Sequence, residues 1–419
     1  MNPHTADDFS WRQVAIPVYG PTLLVSIGAG AILPLVALSA RDLGASVGIA
    51  ALVVAMLGIG QLVGDLPAGA LAARIGERWA LILACLVDVA ALIGAYLAPS
   101  VVLLSVAVFV AGLAHAVFGL ARQAYLTAAV PMRIRARAMS SLGGIFRIGS
   151  FIGPFVGAVI VTQRDIASAY VFAAAMSLAA AGLAALLPDL PAPDRPTPDL
   201  PAPDNGRRPV AGSDRRTTGD SRSPHHPGVF AVLARHRRVL LTLGTGVLVL
   251  SAARATRQVI VPLWAEAQGI DAATTSVIFG ISAGVDMLLF YPGGAIMDRY
   301  GRAAVAVPAM ITLGVGFVLL PLTHTPLAVA LIACLMGLGN GISSGVVLTL
   351  GADAAPVEGR AQFLGGWRLC ADLGNALGPL AIGGISAIAT LGLASVVMGT
   401  ITWLGSGWLA KFVPVRSRR

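Results

Sequence analysis

Nine charged side chains interrupt long runs of Ala, Leu, Val, Ile and Gly: Arg122, Arg147, Arg254, Arg257 and Arg368, with Asp65, Asp88, Asp286 and Asp372. A charge at the centre of an apolar helix costs roughly 3 kcal/mol on insertion scales unless it is paired or wet, so such residues mark ion pairs, proton relays or sites for charged ligands. Arg254 and Arg257 stand three residues apart and share one helix face. Asp286, set between apolar surroundings and a neighbouring arginine, is the first candidate for an acid that exchanges protons, and Asp88 is the second. If Arg257 has no partner, the same site favours an anion instead. His115, whose ordinary titration lies near neutral pH, is a third proton-exchange candidate, though a lone buried histidine is more often a hydrogen-bonded packing residue.

The elements that carry these residues are read from composition. Hydrophobic residues make up 56% of the 419-residue chain, charged residues only 12%, and mean hydropathy is +0.81. That excludes a soluble domain and predicts a bilayer protein, all-α, with twelve spans near 14–38, 49–71, 79–98, 100–124, 139–161, 166–187, 239–264, 273–297, 303–321, 327–351, 362–388 and 390–410. Six spans lie on each side of a polar gap. The expected organisation is an N-terminal six-helix bundle (1–187), a disordered linker (188–238) and a C-terminal six-helix bundle with a short tail (239–419). The linker contains PDLPAPD twice, ten residues apart, followed by an arginine-rich stretch that cannot bury a core.

A net charge of +9 raises the question of nucleic acid, and the placement of the 29 basic residues answers it. Under these spans 22 fall on the side holding both termini and the linker, while Arg41 and Arg164 fall on the other. That bias is the positive-inside rule, so the basic charge reports cytoplasmic termini rather than a nucleic-acid partner. The N-terminal MNPHTADDFSWRQ is polar and reads as uncleaved. Cys85, Cys334 and Cys370 fall in separate predicted helices and read as packing residues. His225 and His226 in the linker lack further ligands, so no metal and no cofactor is expected. GISSG, Gly341 to Gly345, matches the letters of a nucleophile elbow but lies within a predicted helix, and no catalytic cluster or ATP-binding loop accompanies it. The chain does not read as an enzyme.

The two halves repeat one another at an offset of 225 residues. PAGALAARIGER from Pro67 returns as PGGAIMDRYGRA from Pro292, PMRIRARA from Pro131 as PVEGRAQF, and GSFIGPFVGA from Gly149 as GNALGPLAIG. The offset joins Gly69 to Gly294, Gly76 to Gly301, Gly153 to Gly378 and His115 to Asn340. GAIMDRYGRA, with Gly294, Asp298, Arg299, Gly301 and Arg302, resembles the loop signature between helices 2 and 3 of the major facilitator superfamily. The first-half copy keeps Gly69, Arg74, Gly76 and Arg78 but has Ala73 where the family places its acid, which leaves the second-half loop as the stronger latch unless Glu77 or Asp65 substitutes. GSFIGPFVGA, with Gly149, Gly153, Pro154 and Gly157, resembles the fifth-helix motif that the family associates with antiporters, and Gly378 and Pro379 repeat part of it. The family's usual mid-helix arginine in helix 4 is replaced by Val108.

The resemblance implies twelve helices in two pseudo-symmetric bundles around a cavity that opens to one side at a time. It places helix 2 against helix 11 and helix 5 against helix 8, which makes Asp65 with Arg368 and Arg147 with Asp286 candidate ion pairs between bundles, with Asp372 beside them. His115 and Asn340 are expected to face the cavity from opposite halves, with Arg254 and Arg257. The implied function is proton-coupled efflux of small hydrophobic compounds, resembling twelve-span drug and proton antiporters. The rival is a secondary transporter of an organic anion or other metabolite, and a non-transporting membrane sensor is the third class. The expected partners are a small-molecule substrate, protons and lipid, around a monomer. Twenty-eight arginines against the single Lys411 point to a GC-rich bacterial genome, hence an inner membrane.

Overall fold

A bilayer protein can satisfy its backbone as helices or as a closed barrel, and long continuous apolar runs, here, form helices. The computed structural model describes residues 11–130, 132–187, 229–356 and 358–413. Twelve spans follow in order: α1 (Trp11–Ile32, resuming as Leu35–Asp42), α2 (Val47–Ile75), α3 (Glu77–Tyr96), α4 (Val101–Ala129), α5 (Met132–Gln163) and α6 (Ser168–Ala185). The second half contains α7 (Thr245–Ala267), α8 (Ala272–Tyr300), α9 (Ala303–Leu319), α10 (Pro326–Ile342, resuming as Val346–Ala354), α11 (Arg360–Ile388) and α12 (Leu391–Phe412). Ten segments are individually long and apolar enough to cross a membrane, and α1, bent by 42° beside Pro34, makes an eleventh. The twelfth, α11, has 29 residues and ample length, about 44 Å. Its hydropathy is lowered by Arg360, Arg368, Asp372 and Asn375.

Packing repeats with the sequence. Within the first half α1 meets α5 and α6, α2 meets α4, and α3 meets α4 and α6; each pairing returns six helices later as α7 with α11 and α12, α8 with α10, and α9 with α10 and α12. Between halves α2 meets α11 and α5 meets α8, contacts that a twofold axis exchanges. The repeated Gly76 and Gly301 both take the left-handed backbone (φ 85° and 92°) that closes α2 and α8 in a single residue. On α5, Gly149, Gly153 and Gly157 face α1, and an added Cβ at Gly153 would strike the Ile27 carbonyl. Gly378 of α11 is packed as closely on Ala252 of α7. The smooth glycine face therefore seats each helix inside its own bundle, with Pro154 and Pro379 within the same helices.

Three sequence expectations need amendment. The stretch 132–138, left between the expected spans 100–124 and 139–161, is helical, since α5 begins at Met132 and runs unbroken through it. The helix expected across GISSG breaks there: Ser343 and Ser344 turn back to donate their hydroxyls to the Asn340 carbonyl, at 3.1 and 3.0 Å. The end of the expected linker is helical rather than disordered, as Val229–Arg235 and Arg237–Val239 with a turn at His236 between them. Val232 is buried there against Gly359, Leu233 covers Gly366, and the His236 ring stands edge-on to Phe363. Residues 188–228, with His225 and His226, lie outside the described residues.

The two ends of the molecule differ. At the end away from the basic loops, Arg41 and Glu266 are 3.0 Å apart, and the 225-residue offset relates these same two positions, so the pair straddles the pseudo-twofold axis. Gly48 of α2 touches Gly383 of α11, while Phe151 and Phe155 of α5 cover Gly284 and Gly280 of α8. Toward the basic end, Cβ positions at Gly69, Gly143, Gly144 and Gly294 meet only open space. The close glycine contacts between bundles thus include pairs at the far end, whereas these four glycines near the basic end make none. Asp271, in the far-end loop, caps α8: hydrogen bonds from the Thr274 hydroxyl and backbone N–H hold its carboxyl below the usual carboxylate range.

Candidate functional site

Between the bundles lies a cavity of about 480 Å³. Five arginines line it, Arg122, Arg147, Arg254, Arg257 and Arg368, against three aspartates, Asp65, Asp286 and Asp372. His115, Asn340, Pro379 and the rings of Phe118, Phe146 and Phe279 complete its chemically distinctive wall.

The second half contributes a connected network. Arg147 of α5 reaches across the bundle boundary to Asp286 of α8, Nη1 to Oδ1 at 2.7 Å, with its guanidinium 4.5 Å from the Phe290 ring centre. The other oxygen of Asp286 accepts from Asn340 Nδ2 at 2.5 Å, and Asn340 Oδ1 accepts from Arg254 Nε at 2.7 Å. Asn340 thus joins a donor to an acceptor, which a small amide does well and a hydrophobic residue could not. Gly341 lets α10 approach this close, since a Cβ there would lie 2.9 Å from the Asp286 Cα.

Arg257 lies one turn beyond Arg254 and is only 5% exposed. Its guanidinium rests 5.6 Å from the Phe279 ring centre, and among the described residues no carboxylate lies within 4 Å of it. Arg122 is similar: it sits 5.6 Å from the ring centres of both Phe118 and Phe146, and its Nε is buried with no hydrogen-bond partner. Cation–π contact offsets part of the desolvation of a buried guanidinium, about 2 kcal/mol at best, and leaves its positive field in place. Near-complete pairing of the intramembrane charges, the expectation from counting five arginines against four acids, does not hold for the arginines.

The first half carries a different arrangement. His115 Nε2 lies 3.5 Å from Asp88 Oδ1, and Asp88 Oδ2 accepts from the Ser177 hydroxyl of α6 at 2.6 Å. Asp88 itself is 4% exposed and stands behind His115, away from the cavity wall. At the second boundary, Arg368 of α11 pairs with Asp65 of α2 at 2.8 Å and with Asp372 one turn along at 3.4 Å. The boundaries are of opposite sense: the first half supplies the arginine to one and the acid to the other.

The loop-signature residues lie outside the cavity. Arg78 donates to the Ala185 carbonyl at 2.8 Å and Arg302 pairs with Asp353 at 2.7 Å, so each loop grips its own bundle. Arg74, Asp298 and Arg299 are exposed, and Asp298 has no hydrogen bond or ion pair among the described residues. Sequence reasoning left Arg122 out of the site, although its position seven residues after His115 puts both on one face of α4. It missed Ser177 altogether, since a serine in an alanine-rich helix carries no signal of its partner.

Twelve helices in two related bundles around a polar cavity define a membrane carrier. The sequence model of the Major Facilitator Superfamily matches residues 21–379 and 243–418, and the chain belongs to that family. No curated protein matches the sequence. Among solved structures, a mutant of the nucleoside transporter NupG is similar with a TM-score of 0.74 at 14% identity, covering 95% of this chain and 100% of that one. A D-xylose–proton symporter aligns at a TM-score of 0.70 and 14% identity over 96% and 98% of the two chains. The human organic anion transporter MFSD10 (TETRAN) aligns at 0.64 and 15% over 96% and 100%. Identities this low speak for the fold alone. The protein is a multi-pass membrane transporter of this family.

Proposed function

We propose that the protein is a secondary transporter of organic anions, working by alternating access as a monomer in a bacterial inner membrane with both termini in the cytoplasm. On that topology the basic end is the cytoplasmic one, and the described conformation is open inward. The observation that carries the reading is Arg257, buried against Phe279 with no carboxylate within 4 Å. A cation kept in an apolar site without a partner lowers the cost of binding an anion there, because the anion brings the missing charge. The three phenylalanines on the wall suit an anion with an apolar body.

Those rings also favour a second reading, proton-coupled efflux of lipophilic compounds, which the fifth-helix motif supports. The two readings separate in an equilibrium experiment on purified protein. If the site takes anions, benzoate or succinate should raise the melting temperature and tetraphenylphosphonium should not, with Arg257→Gln removing the effect. Stabilisation by tetraphenylphosphonium alone, unchanged in Arg257→Gln, would replace the anion reading with the efflux reading.

A further inference from the structure

We propose that His115 and Asp88 form a one-proton site, and that this proton is coupled to the anion through Arg122. The inference rests on the anion reading for its coupling half and on geometry for the proton site.

Asp88 is buried at the back of α4, with Ser177 bonded to one oxygen and His115 3.5 Å from the other. That second oxygen has no hydrogen bond of its own. Without a proton the pair is a buried carboxylate beside a neutral ring, with net charge −1. One added proton turns the ring into an imidazolium, with N–H on both nitrogens and the Nε2–H directed at Asp88, and brings the pair to neutrality, so the pair is built to hold one such proton and no more. His115 lines the cavity and Asp88 does not, so the ring is the path by which the proton enters and leaves.

Other charges around the ring are accounted for, element by element. On α2, Asp65 is paired with Arg368 of α11, which Asp372 also meets. On α5, Arg147 is paired with Asp286 of α8. Cys85 lies near Asp88 on α3 and is buried. On α4 itself stands Arg122, two turns from His115 on the same face and about 10 Å along the axis. Of these cations, Arg122 is the one with no carboxylate within 4 Å among the described residues.

The coupling follows from charge balance. An unprotonated pair, at −1, offsets Arg122 and weakens its hold on an anion; a protonated pair leaves Arg122 its full positive charge. Two unit charges about 10 Å apart at an intermediate dielectric constant alter each other's binding by roughly tenfold. Proton and anion therefore enter together and leave together, in net-neutral steps. Asp286 is less suited to this role, since Arg147 and Asn340 already engage both of its oxygens.

Two measurements test the halves of the proposal separately. In full-length protein labelled with ¹⁵N-histidine in nanodiscs, the ring signals absent from His115→Gln should pass from charged to neutral form between pH 5 and 9, and Asp88→Asn should move that transition. A ring that keeps one form over that range overturns the proton site, whatever becomes of the anion reading. In detergent solution near the midpoint of that transition, mixing benzoate with wild-type protein should draw about half a proton per anion bound, the uptake that tenfold coupling allows, read with a pH dye. His115→Gln leaves Asp88 charged, so it should bind benzoate roughly tenfold more weakly, and at saturating benzoate without proton uptake. Equal uptake in His115→Gln would break the coupling, while NMR titration with no benzoate binding would defeat only the anion reading.

Discussion

At one depth in the two halves, the 225-residue repeat puts His115 in the first and Asn340 in the second, and the two positions have taken different work. Asn340 stitches Arg254 to Asp286 and cannot change charge. His115 backs onto a buried acid and can. The same scaffold position holds a fixed connector on one side and, on the proposed reading, a proton acceptor on the other. The division extends outward, for the second-half network leaves Arg257 over as a constant positive charge, whereas the charge of the first-half pair varies with its proton. On the proposed reading a duplicated fold confines the proton to one copy, while both copies, through Arg122 and Arg257, present a cation to the anion.

The largest expected effect comes from removing the left-over charge. Arg257→Leu should reduce anion transport by about 100-fold, because the cation that meets the substrate is gone. It should also raise the melting temperature by a few degrees, since a buried charge with no carboxylate within 4 Å among the described residues is replaced by an apolar side chain. Lost transport together with lost stability would mean that Arg257 has a structural partner after all.

Breaking the second-half network comes next. Asp286→Asn leaves Arg147 without its carboxylate and should cost about 3 kcal/mol of stability, measured by denaturant or heat, with a roughly tenfold loss of transport. The double change Arg147→Met with Asp286→Leu should restore stability without restoring transport. If Asp286→Asn instead abolished only proton-driven flux and left stability alone, proton coupling would belong to the second half and the comparison would be reversed.

Smaller effects are expected at the ends. Asp298 is exposed, with no partner among the described residues in this conformation, so Asp298→Asn should leave that conformation intact and slow the return from it, by about threefold in single-turnover exchange in either direction. Unchanged exchange would remove Asp298 from the latch. Arg41 and Glu266 are each about one-third exposed, so their pair is worth no more than about 1 kcal/mol. Arg41→Gln should raise the outward-open population by up to about fivefold, visible as longer spin-label distances between the far ends of α1 and α7.

Much of the fold was legible because it is written twice. Hydropathy gave the spans, and a constant offset gave the halves, with left-handed Gly76 and Gly301 as a local sign of the same repeat. What the sequence hid was polar structure within helices. The break at Ser343 and Ser344 has no proline to announce it, and the helix Val229–Arg235 hides in a segment dominated by linker composition. Pairings across the bundle boundaries, Asp65 with Arg368 and Arg147 with Asp286, could be named because the family resemblance implies which helices meet there, and they lie at 2.8 and 2.7 Å. The pairing of Asp88 with His115 could not, since 27 residues and a turn separate them and no period links them. Nor could a count of charges reveal which arginines would be left over, because aromatic rings, not acids, became the partners of Arg122 and Arg257.

Proteoliposomes holding wild-type protein, Arg257→Gln or His115→Gln, assayed for benzoate counterflow without a gradient and for accumulation under an imposed pH gradient, put the division between halves to its most direct test. The account predicts that Arg257→Gln loses both activities, while His115→Gln keeps counterflow and loses accumulation. Identical behaviour of the two variants, or acid-driven accumulation surviving in His115→Gln, would contradict it.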